Sequence, residues 1–160
     1  VDRNRQGFLE YRHEATGIVM VLVPGGAFDM GSTDEERDEA GALIDRFIDD
    51  AKSRAFLRGS LRSEAPRHAV TLDPYLIAKH EVRQDVWRRV MERNPSRFQA
   101  DDLPVENISW NEAREFCKRT GLLLPTEAQW EQACPGGMSP AFSSGETITT
   151  DEANFNGNYP

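Results

Sequence analysis

At 160 residues the chain is long enough for one hydrophobic core and too short for two independent ones. Its 27 acidic against 19 basic residues leave a formal charge of −8, a balance that repels a phosphate backbone and excludes nucleic acid as an expected partner. Hydrophobic residues make up 38% of it, and no apolar run approaches the roughly 20 residues of a membrane span, so no membrane partner is expected either.

The stretch from Val1 to Tyr11 is polar and lacks the basic start and apolar core of a secretory leader, so no signal peptide is read there. From Gly17 to Val23 an apolar run ends at Pro24-Gly25-Gly26, which predicts a buried strand and then a turn, with a second strand at Ala27 to Met30. Between Glu35 and Arg58, Ala40, Leu43, Ile44, Phe47, Ile48 and Ala51 recur at steps of three and four. Acidic residues crowd the start and Gly59 suits a stop, so one helix is predicted, capped by Ser32, Thr33 or Asp34. Its apolar stripe either docks on its own domain or receives a partner.

His68 to Asp73 alternates apolar and polar residues up to Pro74, and Tyr75 to Val82 reads as a further strand, the two expected to pair like a hairpin. Val86, Trp87, Val90 and Met91 predict a helix over Arg83 to Arg93, closed by Asn94-Pro95. Ser109 and Glu112 make a capping box for a helix from Trp110 to Arg119, with Gly121 ending it in the left-handed conformation. Thr126 with Gln129 starts a last helix, which carries Trp130 and stops at Pro135. From Met138 onward the composition is that of a loop.

Most chemistry-bearing side chains have a structural reading. Trp87, Trp110 and Trp130 fall on inward stripes of predicted helices and are expected in the core, with a ligand platform as the alternative. Glu81, Glu127 and Glu131 are candidates for buried ion pairs with Arg67 or Arg114. Cys117 and Cys134 lie too far apart for a metal-binding pair and are expected as reduced core residues, while His13, His68 and His80 stand singly. No phosphate loop, H-E-x-x-H or nucleophile elbow is present, so no catalytic residue is assigned. The stretch Asp151 to Asn158 offers carboxylates, amides and a glycine turn, suited to a hard cation or to an Asn-rich turn satisfied by its own backbone.

Several motifs in one order carry a resemblance: Pro24-Gly25-Gly26, Met30-Gly31-Ser32, Glu64-Ala65-Pro66-Arg67-His68, Asn94-Pro95-Ser96-Arg97-Phe98, Ser109-Trp110-Asn111-Glu112, and Leu124-Pro125-Thr126-Glu127-Ala128-Gln129-Trp130-Glu131. In these the chain resembles the amino-terminal part of the formylglycine-generating enzyme family, also called sulfatase-modifying factors. The resemblance implies an α+β, C-type-lectin-like fold, irregular, with small antiparallel sheets and a few helices. It implies that residues 1–160 form one such domain, truncated and incomplete at the carboxyl end, with residues 34–59 a helical insertion where relatives have a short acidic loop.

It also implies a partial calcium site, with the side-chain oxygen of Asn154 and the backbone carbonyl of Phe155 as metal ligands. Active members are copper-dependent oxidases that convert a sulfatase cysteine to formylglycine with molecular oxygen, using a cysteine pair near the end of the domain. Neither Cys117 nor Cys134 matches that pair, the later G-N-V-W-E-W and R-G-G-S segments are missing, and Arg83, Pro135 and Ser143-Ser144 depart from the family pattern. The expectation is a non-catalytic protein- or ligand-binding module. The alternative is the amino-terminal part of a copper-dependent oxidase whose cysteines lie on a missing segment or second chain, copper then entering only with that half. Apolar surface from Trp110, Trp130 and the strand at Ile18 to Val23 is expected to meet another polypeptide or the missing carboxyl half.

Overall fold

The computed structural model describes residues 2–4 and 7–134. Of these, residues up to 25 together with 73–126 form one compact unit, and residues 26–72 together with 127–134 form a second.

The first unit holds an antiparallel sheet of β1 (Asp2–Arg3), β2 (Leu9–Arg12), β3 (Val19–Val23) and β6 (Tyr75–Ala78), in the order β1-β2-β3-β6. The turn between β2 and β3 is fixed by Thr16, whose hydroxyl meets His13 Nδ1 at 2.8 Å and accepts from Ile18 N at 3.2 Å. β1 and β2 arise from a stretch read only as polar, because β2 is held by pairing with β3 and β1 by pairing with β2, and not by an apolar pattern of their own.

Two helices complete the unit, α3 (Gln84–Met91) and α4 (Trp110–Thr120). Val86, Trp87 and Phe116 are its buried centre, with Trp87 and Phe116 stacked 5.2 Å apart at 7°. Ile18, Val82, Val90, Met91, Val105, Ile108, Cys117 and Leu122 pack around them. α4 starts at the expected capping box, Ser109 with Glu112, and ends at Gly121 with φ 76°. α3 is closed by left-handed Glu92, φ 61°, before Asn94-Pro95 is reached.

The second unit is built on a two-stranded ribbon of β4 (Gly26–Met30) and β5 (His68–Leu72), paired from Gly26↔Leu72 to Met30↔His68. Here a sequence expectation fails. β5 and β6 do not form a hairpin: β5 pairs with β4 and β6 with β3. Pro24-Gly25 and Asp73-Pro74 are therefore crossings between the two units and not tight turns within a sheet. Proline, which has no N–H to donate to a ladder, suits such a break.

The predicted single helix is also two helices, α1 (Asp34–Phe47) and α2 (Ala51–Ser63). Ile48 turns extended, and Asp50 caps the second helix by accepting from Ser53 N at 2.7 Å, a sequence-local signal that outweighs the continuing apolar stripe. Gly59 lies inside α2 and ends nothing. Of the three proposed caps Thr33 serves, in a box with Glu36. The last element, α5 (Glu127–Ala133), packs on β4 and β5.

Small antiparallel sheets with a few helices make this a mixed α+β fold, as expected.

Candidate binding surface

In the first unit, Asn94 and Ser96 of one recognised motif are engaged in hydrogen bonds that build their own loop. Gln84 is fully buried, and its carboxamide makes four bonds: Nε2 donates to Phe98 O at 2.7 Å and Pro104 O at 3.1 Å, while Oε1 accepts from Asn94 Nδ2 at 2.8 Å and Ala100 N at 3.2 Å. Asn94 also donates to Gln99 Oε1 at 2.9 Å and accepts from Ser96 N at 3.2 Å. Ser96 Oγ accepts from Glu106 N at 3.1 Å, and the Glu106 carboxylate accepts from the backbone N–H of Phe98 at 3.2 Å and of Arg97. Asn94 to Phe98 is thus a loop clasp. The side chains of Asn94 and Ser96 are spent on the loop's own polar groups, while Phe98 is exposed with the Arg97 guanidinium over its ring at 5.6 Å.

The Ser109-Trp110-Asn111-Glu112 motif divides differently. Glu112 accepts from Ser109 N at 2.6 Å and Ser109 Oγ at 2.7 Å and is ion-paired with Arg93, so the start of α4 is pinned at several points. Trp110, at the first position of that pinned turn, is 65% exposed, and the Arg114 guanidinium lies over its ring at 4.9 Å. This is a rigidly mounted indole with one face covered by a cation and the rest open to solvent.

The core expected of all three tryptophans therefore holds for Trp87 alone. Trp110 and Trp130 are exposed, the latter at 61% on α5. The inward stripe of α4 is carried by Ala113, Phe116, Cys117 and Thr120, and Phe116 already fills the place against Trp87. The buried carboxylate–arginine pairs are overturned as well. Arg114 stacks on Trp110, and Arg67 pairs with Asp29 at 3.4 Å and Glu36 at 3.9 Å. Glu131 accepts the Gly31 N–H at 2.7 Å, while Glu81 and Glu127 are exposed. The Trp110–Arg114 pairing was missed in the sequence although its signal, an aromatic and a cation four apart on one helix, was present.

Cys117 packs against the core, and burial raises its thiol pKa, which opposes the thiolate a nucleophile needs. Cys134, expected in the core, is exposed, because α5 turns Ala128, Gln129, Glu131 and Gln132 inward instead. His68 Nδ1 meets Pro66 O at 2.8 Å, a local turn contact. Among the described residues no three His, Cys, Asp or Glu side chains gather as metal ligands. Asn154 and Phe155, the expected calcium ligands, lie outside the described residues.

Comparison with known proteins gives this geometry a family. Residues 6–160 match the model of the sulfatase-modifying factor enzyme 1-like domain. The formylglycine-generating enzyme of Mus musculus is 28% identical over 152 residues, covering 74% of this chain and 40% of that protein. The inactive C-alpha-formylglycine-generating enzyme 2 of Bos taurus is 28% identical over 154 residues, covering 76% of this chain and 50% of that protein. The chain thus spans half or less of the length of these relatives. Among solved structures, Treponema denticola variable protein 1 superposes with a TM-score of 0.60 at 21% identity, over 89% of this chain and 62% of that one, a likeness of fold. With motif order, α+β architecture and family model in agreement, the chain belongs to the sulfatase-modifying factor, or formylglycine-generating enzyme, family.

Proposed function

We propose that this domain, as it stands, is a non-catalytic binding module that takes a protein or other ligand. The observation that carries the reading is the Trp110–Arg114 pair. Tryptophan and arginine dominate the energetic centres of protein interfaces, and here they are held together on a doubly capped helix start and left open. The ordering cost of binding is lowered because Glu112 and Ser109 have already fixed that turn. The recognised clasp from Asn94 to Phe98 supports the same reading, since its polar groups are engaged in building the unit. Calcium held by Asn154 and Phe155 belongs to this proposal through family resemblance, and a calorimetric calcium titration of the chain against an Asn154→Ala variant tests it.

The test of the module is capture of a partner from the source organism, followed by rebinding of that partner in purified form. Trp110→Ala is expected to weaken rebinding by roughly tenfold or more while the circular dichroism spectrum stays unchanged. Equal affinity for the variant overturns the surface.

A second reading is favoured by the relatives named formylglycine-generating enzymes. In it the chain is the amino-terminal part of a copper-dependent oxidase completed by a further segment or a second chain. Oxidation of a sulfatase-derived cysteine peptide by this chain alone, with copper and oxygen, would reject the module. Activity gained only on adding the completing polypeptide would establish the second reading.

A further inference from the structure

Met30 and His68 are paired in the ribbon of the second unit, so the chain between them leaves and returns at one point, and α1 and α2 form a helical hairpin. The helices carry opposite charge: six acidic and two basic side chains on α1, four basic and no acidic ones on α2. Arg58 joins them. Its Nε donates to Asp45 Oδ1 at 3.1 Å and a second nitrogen donates to Gly41 O at 3.2 Å. Buried Gly41 makes the room, since a Cβ there would stand 3.2 Å from the guanidinium.

That clamp marks one broad face of the hairpin. Two residues along a helix turn it by about 200°. Leu43 and Phe47, each two from Asp45, and Phe56 and Ser60, each two from Arg58, therefore stand on the opposite broad face. There Leu43 is 55% exposed, Phe47 39% and Phe56 74%, although Ala40, Ile44, Leu57 and Leu61 are half-buried between the helices. Among the described residues nothing covers this apolar face, which is flanked by a shallow concavity at Lys52, Ser53, Phe56 and Leu57.

We propose that the face is a self-association surface, and that a second copy of this chain docks on it hairpin to hairpin as a four-helix bundle. Two-fold symmetry and charge select the arrangement. An axis running across the helices would lay α1 on α1, acidic against acidic. An axis running along them lays α1 of each copy on α2 of the other, net negative against net positive. Because Arg58 spans Gly41 and Asp45, Phe56 lies level with Leu43 and Phe47, and this rotation seats each Phe56 over that pair in the other copy. The first unit's tryptophan surface plays no part in this contact.

Sedimentation of the chain over a concentration series tests it, with the mass expected to rise toward twice that of the monomer and the dimer to weaken as salt is added. Phe56→Asp and Leu43→Asp each place a charge on an exposed position and are expected to raise the dissociation constant at least tenfold with helix content unchanged. A Trp110→Ala chain should dimerise as the parent does. A monomer at every concentration, a dimer indifferent to both aspartates, or a dimer that salt strengthens would overturn the proposal.

Discussion

Gln84 Oε1 accepts from Asn94 Nδ2 at 2.8 Å, and with the bond from Gln84 Nε2 to Phe98 O this buried helix-start glutamine holds the loop from Asn94 to Gln99. All four hydrogen-bonding positions of the Gln84 amide are filled, so the group bears its burial without loss. Gln84→Leu keeps the volume and orphans Phe98 O, Pro104 O and Ala100 N. An unmade buried bond costs about 1–3 kcal/mol, so a loss of about 3 kcal/mol is expected, read as the shift of a urea unfolding midpoint.

The two tryptophans of the first unit should respond oppositely. Trp87 is 1% exposed and stacked on Phe116, and its truncation to alanine is expected to cost about 3–5 kcal/mol. Trp110→Ala, at an open position, should stay within about 0.5 kcal/mol of the parent. Thermal melts of the two variants decide whether Trp110 serves folding or recognition.

Gly31 closes the base of the hairpin. Its φ of 88° suits only glycine comfortably, and a Cβ there would collide with the Glu64 carbonyl oxygen, which accepts from Ser32 N at 3.1 Å. Gly31→Ala should destabilise the protein by more than about 1 kcal/mol. Gly17→Ala, with φ 78° but open space around it, should cost less, and chemical denaturation of both separates collision from backbone strain.

Acid should loosen the hairpin. The Thr33 N–H lowers the Glu36 pKa, hydrogen bonding from Arg58 lowers that of Asp45, and the Ser53 N–H lowers that of Asp50. Folded pKa values below the unfolded ones mean that these groups stabilise the fold above the unfolded values, near 4. That contribution is lost as pH falls through the lowered folded ones. Far-ultraviolet circular dichroism should therefore stay level from about pH 8 to 5 and lose helix signal below about pH 4. Asp45→Asn should make that acid loss shallower.

Sequence by itself determined the elements whose signals are local. The capping box at Ser109, the left-handed Gly121 and the 3.6-residue stripe around Trp87 need only neighbours in the chain, and each formed where it was read, while of the three caps offered for the acidic helix Thr33 serves. Motif order likewise placed the chain in its family. Only the tertiary structure decided which strand pairs with which, since β4–β5 and β3–β6 satisfy the same alternation that a β5–β6 hairpin would have. It also decided which indole is buried. Trp87 and Trp110 both lie on helices with amphipathic spacing, but Phe116 fills the one place beside Trp87, and Arg114 holds Trp110 at the surface. Periodicity tells which face of a helix is apolar. What covers that face depends on the partner element, which no local pattern encodes.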